Sequence, residues 1–194
     1  MTAAAELDRW EARYKEPDYD PDREPTAFLV DATQALIPGR ALCLAAGAGR
    51  NAVHLATQGW TVTATDISET GLHWCRRWAT DSGVDVDTVV ADLAAFGPPA
   101  GHWDLVTMVS YLQPDLFAAI RRTLRLGGHF LFHTFSQRHL EQGWGPRSPT
   151  HLADPEKVRA AFRDWDLVRF EEGVYPRSDG RREAVVRMLA RKPT

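Results

Sequence analysis

Residues 39–68, GRALCLAAGAGRNAVHLATQGWTVTATDIS, decide the fold. An apolar run from Ala41 to Ala46 leads into a small-residue turn, Gly47-Ala48-Gly49, and then a segment with helical spacing at Val53, Leu55 and Ala56. A second apolar, β-branched run, Trp60 to Thr65, ends in an acid, Asp66. Strand, glycine turn, helix, strand and acid is the layout of a mononucleotide-binding βαβ unit. Residues without bulk at the turn let a ligand lie against backbone N–H groups where a helix begins. A carboxylate at the tip of the next strand, about 20 residues on, accepts hydrogen bonds from a ribose diol. A small-residue turn alone is often only a tight connection. The correctly spaced acid is what turns the reading towards a pocket for an adenosine-like ligand.

Working outward, LDRWEARY (7–14) has helical spacing with Leu7, Trp10 and Tyr14 on one side, and the charged, proline-rich KEPDYDPDREP (15–25) reads as a loop. Pro25 is placed to be the first residue of a helix through Phe28, Leu29, Ala32 and Leu36, closed by Pro38-Gly39. Residues 1–38 are thus expected to form a helical flap on a single domain, 1–194. On the other side, a helix is expected over Glu69–Ser82 with Leu72, Cys75 and Ala79 inward, then strands at Val84–Val90 and Trp103–Ser110. A helix starting at Gln113-Pro114 and carrying Leu116, Phe117, Ile120 and Leu124 is stopped by Gly127-Gly128 before a strand over His129–Phe135. Ser136–Ala153 reads as a long loop in which His139 and His151 are solvated, and Asp154-Pro155 signals a further helix. Asp166–Val174 and Arg182–Arg191 read as strands of an antiparallel hairpin, joined by Tyr175 to Gly180. The alternation predicts an α/β fold, a doubly wound, seven-stranded and mostly parallel sheet finished by that hairpin.

At 194 residues with 44% hydrophobic and 25% charged side chains, the chain has the makings of an ordinary globular domain. A formal net charge of −3 is not the basic footprint of a nucleic-acid binder. No apolar run approaches a membrane span and no signal-peptide core stands at the N-terminus, so a cytoplasmic protein without membrane contact is expected. The two cysteines, Cys43 and Cys75, have neither metal-ligand nor disulfide-framework spacing and read as buried free thiols; no metal is expected. The expected partner is a small-molecule substrate, the chain being a monomer or homodimer.

The choice of nucleoside rests on three features. Ala52 in place of the third glycine of GxGxxG decides nothing. Asp92, at the end of the third strand and followed by Leu93, is placed to hold an adenine amino group and pack its ring. The chain also closes with a hairpin where a dinucleotide enzyme needs its second βαβ set and a substrate domain. With LDRWEARY, LCLAAGAGRNAVHLATQGWTVTATDIS, ADLAAF, WDLVTMVSYLQ, LRLGGHFLFHTF and the closing EEGVY and VVRMLARK, the chain resembles class I S-adenosylmethionine-dependent methyltransferases. More narrowly it resembles the small bacterial group of tellurite-resistance and thiopurine methyltransferases.

That resemblance implies a Rossmann-like methyltransferase fold and S-adenosylmethionine as cofactor, released as S-adenosylhomocysteine. It implies that Ala45, Ala46, Gly47 and Gly49 border the methionine and ribose, and that Asp66 accepts from the ribose with Ile67 on the adenine. It places Asp92 and Leu93 at the adenine, Met108 and Val109 at the methionine end, and Arg13 at the methionine carboxylate. The chain departs from the family pattern at Cys43, where an acid is usual and helps anchor the cofactor's amino group, and at Ala45, where glycine is usual. Methyl transfer from a sulfonium needs alignment and exclusion of water, and a base only for protic acceptors. His133, Tyr111 and Tyr14 are the candidate catalytic residues, each with a plainer reading as core or flap packing. The expected reaction is methylation of a small thiol, chalcogen oxyanion or similar nucleophile. The rivals are an NAD(P)-dependent oxidoreductase and a non-catalytic S-adenosylmethionine-binding protein.

Overall fold

The computed structural model describes residues 3–177 and 179–194; Ser178, in the turn expected between the last two strands, lies outside them. Seven strands form one sheet: β1 (Arg40–Leu44), β2 (Thr61–Asp66), β3 (Val86–Val90), β4 (Trp103–Val109), β5 (Leu124–Phe135), β6 (Asp166–Pro176) and β7 (Arg182–Arg191). Their order is β3-β2-β1-β4-β5-β7-β6, parallel except for β7, which runs antiparallel between β5 and β6. The predicted fold class is therefore borne out. An all-parallel dinucleotide fold runs 3-2-1-4-5-6; here the inserted antiparallel β7 takes the sixth place, which counts against the oxidoreductase reading.

Helices cover both faces, as sheets with βα crossovers require. On one face α2 (Ala27–Thr33), α3 (Arg50–Thr57) and α4 (Glu69–Asp81) bury Phe28, Leu29, Val53, Leu55, Leu72 and Cys75 against Cys43, Val62, Leu105, Val109 and Leu131. On the other, α5 (Phe117–Thr123) and α6 (Pro155–Ala161) bury Phe117, Ile120 and Val158 against Leu42, Val106, Phe130, Phe132 and Met188. Alternate residues of each central strand feed the two cores, so a side chain's parity along the strand fixes its face. α4 starts on the Ser68 side chain, which accepts from Gly71 N at 3.0 Å, and α6 on Asp154, as its sequence signal implies.

Four expectations need correction. α2 begins at Ala27, not Pro25: Thr26 is extended (ψ 119°) and its N–H donates to Asn51 Oδ1 at 2.9 Å, which holds the helix start two residues beyond the proline. α5 stops at Thr123, and Leu124 pairs with Trp103 before the register shifts to Leu105 with His129, so Gly127-Gly128 lies in the irregular start of β5 rather than ending a helix. In α1 (Ala3–Tyr14) only Tyr14 is buried, while Trp10 is 37% exposed and stacks on the Tyr14 ring. His139 is not solvated: it is fully buried, and its Nδ1 accepts from Ala184 N at 3.2 Å. Cys43 and Cys75 are buried free thiols. No helix among the described residues is long and apolar enough to cross a membrane.

Candidate functional site

After β1 the backbone bends through left-handed conformations at Ala45 (φ +50°), Gly47 (+56°) and Gly49 (+89°). Glycine adopts these freely, whereas an alanine there costs about 1–2 kcal/mol. Ala45 and Ser110 (φ +56°) are the two non-glycine residues with positive φ among the described residues, and they follow the adjacent strands β1 and β4. Strain held on two neighbouring strand ends marks the carboxyl rim of the sheet as a functional place.

Asp66 stands on that rim at the end of β2, 6% exposed. Its Oδ2 accepts from Gly47 N at 2.8 Å and its Oδ1 from Ser68 N at 2.9 Å. An ionised carboxylate offers about four acceptor positions, so about two remain for a ligand. Burial pushes the Asp66 carboxyl pKa up, opposed by the N–H groups of Ser68, Gly47 and Ile67. Ala91 N donates to Asp66 O at 2.9 Å, tying the end of β3 to that of β2 and setting Asp92 on the same rim. Asp92 is exposed and its Oδ1 caps Ala94 N at 2.9 Å; Leu93 behind it is buried with Leu44. Ala46 is half-buried, its N–H given to Thr65 O at 2.9 Å, and Ile67 is half-buried too. Met108 and Val109 are buried at the tip of β4.

The flap reaches this bend by contacts that sequence reasoning missed. Glu11 of α1 accepts from Ser68 Oγ at 2.7 Å, from Thr70 N at 3.0 Å and from Thr70 Oγ1 at 2.6 Å. Although burial opposes its charge, Lys15, Thr70 and Ser68 hold the Glu11 carboxyl down to about 2. One turn on, Tyr14 is 9% exposed and drops into a niche left by two glycines. A Cβ on Gly47 would lie 2.5 Å from its hydroxyl, and one on Gly71 2.8 Å from its ring. Burial, with the Asp66 charge adding to it, raises the Tyr14 phenol far above its ordinary value. The bend is thus free of bulk from its own side chains but is covered by Tyr14 from α1. Arg13 on the outer side of the helix pairs with Glu16 at 2.5 Å and lies over the Tyr19 ring, so its partners are other than the bend. Gly49 is closed from beneath by Cys75 of α4, a packing contact.

The other end of the rim is built by β5, β6 and β7. His133 pairs with Val109 in register, is 6% exposed and lies 6.1 Å from the Phe28 ring of α2. Its Nε2 faces Glu183 Oε1 at 3.4 Å, and Arg177 Nη1 donates to the other Glu183 oxygen at 2.8 Å. Further along, Glu171 receives Arg187, Arg169 and the Tyr175 hydroxyl. Tyr111, after β4, donates to Gln113 Oε1 at 2.5 Å; burial pushes its phenol up to about 12, with Asp92 adding. The three candidate catalytic residues do not converge: Tyr14 stands beside Asp66, Tyr111 on the Asp92 side and His133 under α2. Cys43, in the place of the expected acid, is buried, and its thiol is pushed up to about 11 by that burial. Among the described residues no group of His, Cys, Asp and Glu is arranged to hold a metal ion.

With this geometry in place, the comparisons with known proteins are specific. Residues 41–128 match a family described as "Methyltransferase domain". The ubiquinone biosynthesis O-methyltransferase of Marinobacter nauticus is 32% identical over 116 residues, 56% of this chain and 49% of that protein. The probable S-adenosyl-L-methionine-dependent methyltransferase TehB of Haemophilus influenzae is 21% identical over 152 residues, 75% of this chain and 52% of that protein. Its crystal structure superposes with a TM-score of 0.72 over 96% of this chain and 66% of that one, at 18% identity. A structure described under conversion of a disulfide bond into a thioacetal group in echinomycin biosynthesis superposes with a TM-score of 0.74, at 20% identity over 97% of this chain and 92% of that one. The chain spans about half the length of the curated relatives it matches. The resemblance to class I methyltransferases, TehB among them, is borne out, and the superpositions establish the shared fold.

Proposed function

We propose that this chain is an S-adenosylmethionine-dependent methyltransferase acting on a small molecule. One observation carries the reading: two carboxylates, Asp66 at the end of β2 and Asp92 two residues beyond the neighbouring parallel β3, stand beside a left-handed backbone bend, inside the segment that matches the methyltransferase domain. The residues fit the cofactor. Asp66 keeps unused acceptor positions after taking two backbone N–H groups, as a ribose diol requires. Asp92 is free on one oxygen for an amino group, and Leu93 and Ile67 offer apolar flanks.

When bound, S-adenosylmethionine supplies a methyl group on a sulfonium. Ala45, Ala46, Gly47 and Gly49 border the methionine and ribose; Met108 and Val109 make the dry wall at the methionine end. Tyr14 closes the bend and keeps water from Asp66, while Trp10, Tyr14, Tyr19 and Trp74 form a linked aromatic wall at the edge of the flap, suited to a cation. Arg13 serves the cofactor carboxylate only if the flap turns it away from Glu16. The two buried free thiols fit a reducing compartment such as the cytoplasm.

Calorimetric titration with S-adenosylhomocysteine tests the reading. Binding is expected in the wild type and a ten- to hundredfold weaker constant in Asp66→Asn, the scale of about 1.5–3 kcal/mol for hydrogen bonds to a charged acceptor. A wild-type protein that binds neither S-adenosylmethionine nor its product refutes it.

A further inference from the structure

Resting on the methyltransferase reading, we propose that His133 is the general base for an acceptor bearing a weakly acidic hydroxyl, a phenol or enol, with Glu183 and Arg177 as its positioning residues. The two imidazole nitrogens are differently placed. Nε2 faces Glu183 at 3.4 Å, while Nδ1 is buried and has no hydrogen-bond partner. An orphaned ring nitrogen in a 94%-buried histidine costs stability unless something else uses it. A carboxylate on one nitrogen fixes the tautomer, with the proton on Nε2 and the lone pair on Nδ1.

The surroundings favour that state. Burial opposes the Glu183 charge, but His133 and the Arg177 guanidinium outweigh it and hold the carboxyl below its ordinary value. Arg177 is itself fixed by Asp179 at 3.3 Å, so the chain Asp179–Arg177–Glu183–His133 runs from the surface to the sheet. The neighbouring cation, Arg187, faces His133 across the β5–β7 register; its Nη2 goes to Glu171 and its guanidinium lies over the Tyr175 ring, while its Nε is buried without a hydrogen-bond partner. Val109, paired with His133 on β4, belongs to the same core as Phe28. The histidine therefore stands one strand from the methionine-end wall, on the same sheet face as α3, with an apolar lining that excludes water.

Thiolates, selenides and chalcogen oxyanions present an ionised nucleophile and have no use for such a base. A phenol does. Its oxygen bonds to the methyl carbon as its proton passes to Nδ1; the carbon–sulfur pair stays on sulfur, leaving the thioether. The imidazolium so formed is held against Glu183 until it releases the proton to solvent.

The test uses the full chain and two phenols, one un-ionised at the assay pH and one, a nitrophenol, already ionised. His133→Gln should lower kcat on the un-ionised phenol about 10²–10⁴-fold with KM within a few-fold, and the ionised phenol should restore turnover. Glu183→Gln should act in the same direction and less strongly. Nitrogen-15 NMR of the histidines, independent of turnover, should find His133 protonated at Nε2 in the wild type and altered by Glu183→Gln. Equal losses on both phenols, no loss on either, or a proton on Nδ1 overturns the proposal. So does a wild type that binds S-adenosylhomocysteine but methylates only thiols; a wild type that does not bind it at all overturns instead the methyltransferase reading beneath.

Discussion

At the β1–β3 end of the rim, side chain meets backbone within one contiguous stretch: Asp66 takes the N–H of Gly47, 19 residues earlier, and of Ser68, 2 later. At the β5–β7 end, side chain meets side chain between distant segments. Glu183 of β7 orients His133 of β5, and Arg169 of β6 gives one arm to Glu171 and another to Asp31, 138 residues away on α2. The first end is set by local conformation, its Asp66 carboxylate held by backbone N–H groups rather than by an ion pair. The second is an ion-pair network, partly buried, and each member relies on the others. On the proposed function, the local end would serve the cofactor whatever the acceptor, and the network end would be where acceptors are told apart.

Breaking the network should therefore have the largest effect on stability. Glu171→Gln leaves the half-buried Arg187 without its carboxylate; the full cost of orphaning a buried ion, discounted for partial exposure, is about 2 kcal/mol, a melting point about 4–8 °C lower. The sign with pH follows from a carboxyl held down to about 2, by Arg187 first and then Arg169 and Tyr175 against the pull of burial. Its contribution is complete above the ordinary 4.5 and is lost as pH falls towards about 2. The gap between wild type and variant, measured by denaturant titration, should accordingly close between pH 5 and about 2. A gap of the same size at both ends of that range contradicts the network account.

The local end has one long-range dependence, the flap, and Gly71→Ala isolates it. The new methyl would sit 2.8 Å from the Tyr14 ring, too close to be absorbed without expelling the tyrosine. Inside α4 the same change favours the helix by about 1 kcal/mol, so global stability should move little while α1 comes away. Protease cleavage in the Lys15–Pro25 loop should rise severalfold, with a red shift of tryptophan emission from Trp10 and Trp74. Unchanged cleavage means that Glu11 with Ser68 and Thr70 holds the flap without Tyr14.

Legibility divides along the same line. The bend, Asp66, Asp92 and the alternation of strands and helices follow from spacing within short windows, because a βαβ unit is specified by neighbours in sequence. Tyr14 in the Gly47–Gly71 niche, Glu11 on Thr70 and Glu183 on His133 are meetings of remote residues, and no periodicity encodes them. Leu7 and Trp10 show the limit of pattern: α1 docks through Glu11 and Tyr14, near its C-terminal end, and the apolar Leu7 and Trp10 earlier in the helix stay exposed. His139 looked like a loop residue because its stretch is polar, yet Phe135 and Trp144 enclose its ring.

The smallest expected effect tests whether strain at the bend belongs to the backbone alone. Ala45→Gly removes the left-handed penalty of about 1–2 kcal/mol but gives the unfolded chain extra freedom worth about 0.5–1 kcal/mol. The difference favours the variant by less than about 1 kcal/mol, a rise of about 1–3 °C in melting temperature by calorimetry. Because Ala45 packs lightly against the core under β4 and α5, a fall would show that its methyl contributes more by contact than it costs in conformation. The same variant separates two accounts of the departures from the family pattern. If S-adenosylhomocysteine binds more tightly once position 45 is glycine, the methyl was crowding the cofactor; if affinity is unchanged, the loss of the acid at Cys43 is the departure that matters.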